Sequence, residues 1–295
     1  MDPAGPGDRA LLDRIEEYYD AVPRSDSRAE DLGALTLFVR DGGGWSWYAR
    51  PARGWTGAVG VADVNRVRAR QRELGVPERF EWVAETTPGL RPAVAASGLV
   101  VREHPLMVLG PHPPAPPMAA FPAGVSVRIF GPDDPALPSA LAVVQLAFAE
   151  AGTRIGAAGT AELAEAVSAY AGDGAVARIA ARIRTGVTVV AAAVAGVTAL
   201  CSGQHQPVGA VSEIVGVGTL PAARRQGLGL AVTAALVADA RSRGVDVVFL
   251  SAGDDDTARI YARLGFHRIG TALIAESATA WVAPTRSRQG RVRSR

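Results

Sequence analysis

The chain has 295 residues, 48% hydrophobic and 20% charged, long enough for two domains with buried cores and too apolar for a disordered chain. All 31 basic residues are arginine, which excludes a lysine nucleophile, a Schiff base and a Walker-type phosphate loop. The formal charge is +2, but Arg286, Arg288, Arg291, Arg293 and Arg295 crowd the last ten residues; without them the body carries −3, which gives no nucleic-acid footprint.

The first ten residues, MDPAGPGDRA, lack the apolar core of a signal peptide. Trp45, Trp47, Tyr48 and Trp55 gather in the first half and read as hairpin core or domain interface. A strand is expected at 80–83 and a helix over 88–97. Gly110–Pro122, dense in proline, reads as an extended spacer. The expected organisation is a domain at 1–110, a linker at 111–122, a domain at 123–283 and a solvated arginine tail at 284–295.

In the second half the pattern predicts strands at 125–130, 187–194, 197–203, 211–220, 245–252 and 266–274. Helices are expected at 137–150, 161–170, 227–243 and 254–263. The longest uncharged run, 186–211, is broken by Thr, Gly and Pro207, so it reads as two buried strands rather than a membrane helix. Leu74-Gly75-Val76, with its following strand, helix and Gly98, resembles Arg243-Gly244-Val245 followed by a strand, a helix and Gly265. The glycine spacings are 23 and 21 residues, which suggests an internal duplication. Cys201 is the only cysteine and the four histidines are scattered, so no internal disulfide and no metal site is expected.

The most informative stretch is Ser212–Leu230, SEIVGVGTLPAARRQGLGL. A β-branched strand runs through a turn into an amphipathic helix that opens on Gly227-Leu228-Gly229. Free amides and the positive helix end at that point suit a phosphate or pyrophosphate, with Arg224 and Arg225 adding charge. Gly216-Val217-Gly218 is followed by Thr-Leu-Pro, which lacks the dinucleotide-binding spacing. Glu213 on a largely apolar strand should have a raised pKa, as a general base for an ammonium requires.

These residues resemble the GNAT superfamily of acyl-CoA-dependent N-acetyltransferases. The signature [Q/R]-x-x-G-x-[G/A] stands as Arg224-x-x-Gly227-x-Gly229. A glutamate-bearing strand precedes it as Ser212-Glu213-Ile214-Val215. The downstream N-x-x-A-x-x-x-Y-x-x-x-G-F stands as Asp254, Thr257, Tyr261 and Gly265-Phe266. The resemblance covers about residues 123–275. It implies an α/β (α+β) fold with a mixed, mostly antiparallel sheet flanked by helices, in tandem, with a degenerate GNAT-like first half.

It also implies acetyl-CoA as co-substrate, no metal, and transfer of the acetyl group to a primary amine by direct attack. The amine would be a small molecule, a peptide N-terminus or a side chain. By position, Val217, Gly218 and Thr219 would meet the pantetheine arm. The amides of Gln226, Gly227, Leu228, Gly229 and Leu230 would hold the pyrophosphate. Glu213 matches the base and Tyr261 the acid. Asp254 replaces the family's usual Asn and reads either as a cofactor contact or as a helix cap. The acceptor would be selected around 145–172, where Glu150, Glu162, Glu165 and Tyr170 stand. The lack of a signal core and of a membrane helix leads to the expectation of a soluble cytoplasmic protein with no membrane partner, and a homodimer is allowed. Two other readings stay open: an acyl-CoA sensor or scaffold, and a transferase using another acyl or an aminoacyl donor.

Overall fold

Helix α1 (Pro6–Arg24) turns Leu12, Ile15 and Tyr18 to one side, and all three are buried. The computed structural model describes residues 6–40, 48–111, 121–170 and 174–277. After α1 come β1 (Arg28–Asp31), β2 (Leu35–Val39), β3 (Ala49–Pro51), α2 (Val61–Glu73), β4 (Arg79–Val83), α3 (Leu90–Ala96) and β5 (Val100–Leu109). Most of the proline-rich spacer and the arginine tail, with Trp45 and Trp47, lie outside the described residues.

The second half holds β6 (Val125–Ile129), α4 (Leu137–Ala149), α5 (Thr160–Tyr170), α6 (Ala175–Arg184), β7 (Val189–Ala195), β8 (Thr198–Val208) and β9 (Val211–Thr219). A short 3₁₀ turn (Pro221–Ala223) leads to α7 (Leu228–Ser242), β10 (Val247–Ser251), α8 (Asp255–Ala262) and β11 (Phe266–Glu276). In α7 the stripe Leu228, Val232, Leu236 and Ala240 is buried, as a 3.6-residue period requires of a helix with one face on a sheet. The strands at the core, β7 and β10, are runs of Val, Ala, Phe and Leu buried at nearly every position.

Among the described residues eleven strands form one sheet, in the order β1-β2-β3-β4-β11-β5-β10-β9-β8-β7-β6. It is antiparallel except at β3–β4 and β9–β10, which are parallel and joined by the crossover helices α2 and α7. The last strand of each half inserts into the other: β11 lies between β4 and β5, and β5 lies between β11 and β10. The two segments that resemble each other in sequence therefore occupy equivalent places. Their punctuating glycines share a left-handed backbone, with φ +66° at Gly75 and +78° at Gly244, and +89° at Gly98 and +91° at Gly265.

Three apolar clusters follow. One underlies the second half, and one underlies the first half together with Leu273 and Ala275 of β11. The third packs α1 on the central strands, with Leu12, Ile15 and Tyr18 against Leu106, Val108, Val247 and Phe249. Tyr48 is buried with its ring edge-on to Phe38. Trp55 departs from the expectation of a buried hairpin or interface residue: its side chain is 50% exposed, on a glycine-rich turn.

Candidate active site

Strand β9 pairs with β10 only through Val211, Ser212 and Glu213. From Ile214 onward its ladder continues on the β8 side alone, while β10 pairs with β5 through Ser251. A bulge lies in this stretch: the register shifts between Ser202 and Gln204, and Gly216 takes φ +64°. A Cβ on Gly203 would stand 2.9 Å from Val217 Cγ2, so the extra residue needs a glycine opposite it. Among the described residues the edge of β9 away from β8 thus has no strand partner from Ile214 to Thr219, an opening in the ladder that begins past Glu213.

The far end of β9 meets the loop before α7. Thr219 Oγ1 donates to Cys201 Sγ at 3.2 Å, and a Cβ on Gly229 would come within 3.5 Å of that hydroxyl. Gly227 caps α7 at φ +76°, and Arg225 is also left-handed at φ +68°. These two residues turn the chain so that the amides of Gln226–Leu230 cluster at the helix start, and none of these amides donates to a carbonyl outside the helix among the described residues. The side chains of Leu228 and Leu230 are buried, so only their backbone faces the loop. Arg225 borders a cavity of about 330 Å³ beside the loop, with Thr153, Asp256, Arg259, Ile260 and Arg263.

Three residues assigned to the cofactor are engaged elsewhere by their side chains or their size. Arg224 is buried, and its guanidinium donates to the carbonyls of Ala147 at 3.0 Å, Glu150 at 2.5 Å and Arg154 at 3.1 Å. It ties the end of α4 to the loop instead of presenting its charge. A Cβ on Gly218 would lie 2.8 Å from Ala147 Cβ and 3.1 Å from Val144 Cα, so this glycine admits α4 against β9. Asp254 caps α8: its Oδ1 accepts from the Thr257 amide at 2.7 Å, and the Thr257 side chain together with that amide holds the carboxyl below the usual aspartate range. In the expected acceptor region, Glu162 accepts from the Gly159 amide at 2.7 Å as part of the start of α5.

Glu213 is half-buried on the α1 side of β9, and burial pushes its carboxyl up to about 8, with Glu81 adding to the rise. Two groups oppose that rise: the Tyr19 hydroxyl, which donates to Oε1 at 3.1 Å, and Arg50. Tyr261 sits on α8 with its ring edge-on to Phe266, and burial raises its hydroxyl far above neutrality, so it stays protonated. Cys201, on β8, is fully buried and its thiol is pushed up to about 12. A buried neutral thiol is a poor acyl carrier. Among the described residues no group of three or more His, Cys, Asp or Glu is placed to hold a metal ion.

Residues 189–281 match the family model described as FR47-like protein. The fold resembles that of a GCN5-related N-acetyltransferase from Kribbella flavida, with a TM-score of 0.62, 23% identity, and coverage of 91% of this chain and 96% of that one. The fold is that of the GCN5-related N-acetyltransferases. A tandem GNAT protein from the clavulanic acid biosynthesis pathway aligns at TM-score 0.54 and 19% identity, over 83% of this chain and 78% of that one. A GCN5-related N-acetyltransferase-like protein from Streptococcus suis aligns at 0.52 and 12%, over 91% and 98%. A comparison with curated proteins gives no match.

Within this GNAT fold the first half lacks what the second half carries. Ala49 pairs with Phe80 as Glu213 pairs with Phe249, so an alanine stands in the place of the carboxylate. Val94 stands four residues before Gly98, where Tyr261 stands before Gly265. At the start of α2 the Gly60 amide donates to Asp63 Oδ2 at 3.0 Å, so the chain's own carboxylate occupies the helix end. Sequence reasoning missed Tyr19, Ser251, Arg259 and Arg263. The apolar spacing Leu12, Ile15, Tyr19, Val22 signals helix α1, but nothing local signals a bond from it to a residue 194 positions away.

Proposed function

We propose that this protein moves an acetyl group from acetyl-CoA to a primary amine by direct attack, with the second half as the working domain and the first half as a degenerate repeat. The observation that carries the reading is the opening along β9: it starts at a raised carboxyl, Glu213, and ends at the free amides opening α7. In this reading the Gln226–Leu230 amides and Arg225 hold the pyrophosphate, and the open edge of Val217–Thr219 takes the pantetheine arm. Acetyl-CoA supplies the activated carbonyl.

Glu213 takes a proton from the incoming ammonium, and the free nitrogen forms a bond to the carbonyl carbon. The Val217 amide faces the oxygen that gains charge. The carbon–sulfur bond breaks and Tyr261 gives its proton to the departing sulfur. The acylated nitrogen gives up its second proton, which restores Tyr261 through solvent, and Glu213 releases its own proton to solvent. The acceptor is a small amine or a peptide amine. The reading puts the protein in the cytoplasm; among the described residues no helix is long and apolar enough to cross a membrane.

The test combines calorimetric titration of CoA with thiol release from acetyl-CoA across a panel of small amines and peptides. Binding with amine-dependent release is expected. Binding with no release for any amine would mean a sensor or scaffold, and no binding would remove the cofactor assignment.

A further inference from the structure

The first half carries neither the base nor the acid, yet it reaches the candidate site through α1. The Tyr19 ring is held on two sides: it stands edge-on to Phe249 with centroids 5.4 Å apart, and the Arg50 guanidinium lies 4.9 Å from its centre. Arg50 is only 2% exposed and is fixed by Glu16 at 2.5 Å. Beside it, Tyr18 donates to the carbonyl of Gln206, the residue opposite Glu213 in the β8–β9 ladder, at 2.7 Å. The Tyr19 hydroxyl therefore has a fixed position. It lies 3.1 Å from Glu213 Oε1 and 3.3 Å from Ser251 Oγ. A tyrosine has one hydroxyl proton; with that proton on Glu213, Ser251 donates to the Tyr19 oxygen, and the three groups form a directed chain.

We propose that Tyr19 is the positioning residue for Glu213: the N-terminal helix crosses the shared sheet to hold Oε1, leaving Oε2 to meet the acceptor amine. This rests on Glu213 acting as the base. A carboxylate on a free side chain turns about its last torsion, and a general base works only within hydrogen-bond reach of its proton. One oxygen fixed from a rigid helix supplies that aim. The degenerate half thus completes the site of the other half. Among the described residues the other groups facing Glu213 are Glu81 on β4, Arg50 on β3, Tyr48 before β3, and Tyr18 on α1. Glu81 opposes ionisation of Glu213, while Arg50 and the Tyr19 bond favour it.

The test reads Glu213 directly, without substrate. Protein labelled with ¹³C at the glutamate carboxyls is titrated by NMR, and the Glu213 signal is the one missing from Glu213→Gln. In Tyr19→Phe its midpoint should rise by about one pH unit, since the bond that favours the ionised form is gone. Protein carrying 3-fluorotyrosine at position 19 alone, a stronger donor of nearly the same shape, should show the midpoint lowered; this sample decides the matter if Tyr19→Phe does not fold. An unchanged midpoint in a folded sample of either kind overturns the proposal. The base reading fails separately, by undiminished thiol release from Glu213→Gln.

Discussion

At Glu213 the proton balance sets both stability and rate. The folded carboxyl titrates at about 8 and its ordinary value is 4.5. Between those values the unfolded chain releases a proton that the folded chain keeps, so folding stability falls as pH rises through that window and levels off above it. Glutamine does not titrate and still accepts from Tyr19. The Tm of Glu213→Gln relative to the parent should therefore climb between pH 5 and 8.5, and a flat difference would mean the carboxyl is not raised. In turnover the parent should gain activity as pH approaches 8 and Glu213 ionises. Glu213→Gln should lose about 10²–10⁴-fold in kcat/KM and recover part of it at high pH, where free amine arrives unaided. Tyr261→Phe should lose a similar factor with no recovery at high pH, and the defect should shrink with a donor whose thiol is more acidic. Parallel, pH-independent losses in both would assign the pair a structural role.

Among the elements, the loop between β9 and α7 divides its labour in a way its sequence only half reveals. The strand–turn–helix order and the glycines are local signals, and the structure has them where the spacing puts them. Arg224 and Arg225 look alike in the sequence, but one is buried on three carbonyls and the other borders the open cavity; burial depends on α4, which is 70 and more residues away. For the same reason Gly218 reads as a close-approach glycine until α4 is seen against it. Helix α6 was missed because its start, Gly174, offers no capping side chain, and no position in it is fully buried. Two measurements separate the roles. Gly227→Asp puts a carboxylate at the free amides and should weaken acetyl-CoA by about a thousandfold. Arg259→Ala combined with Arg263→Ala removes two cations that line the cavity beside the loop. This should cost about tenfold in affinity for CoA and little for 3′-dephospho-CoA, which has one phosphate fewer. Equal losses for both ligands would place the 3′-phosphate elsewhere.

For the molecule as a whole, the exchange of final strands decides how the halves depend on one another. The proline-rich run divides the chain into two domains by composition, which shows where a chain is extended but not which strands later pair. In the fold, β11 separates β4 from β5, and β5 separates β11 from β10. Removing either half from the sheet breaks ladders in the other, and the α1 cluster spans strands of both. Interfaces between separable domains are small and polar; this one is a continuous run of backbone hydrogen bonds over an apolar floor. Unfolding in urea should therefore be one cooperative transition. The chain supplies its own probes. Four of the five tryptophans lie in the first half, including the buried Trp82, and the only cysteine, Cys201, is buried in the second. Tryptophan fluorescence and the reaction of Cys201 with a thiol reagent should report the same midpoint. Two midpoints, with Cys201 exposed while tryptophan emission is still native or the reverse, would show that the halves unfold separately despite their shared sheet.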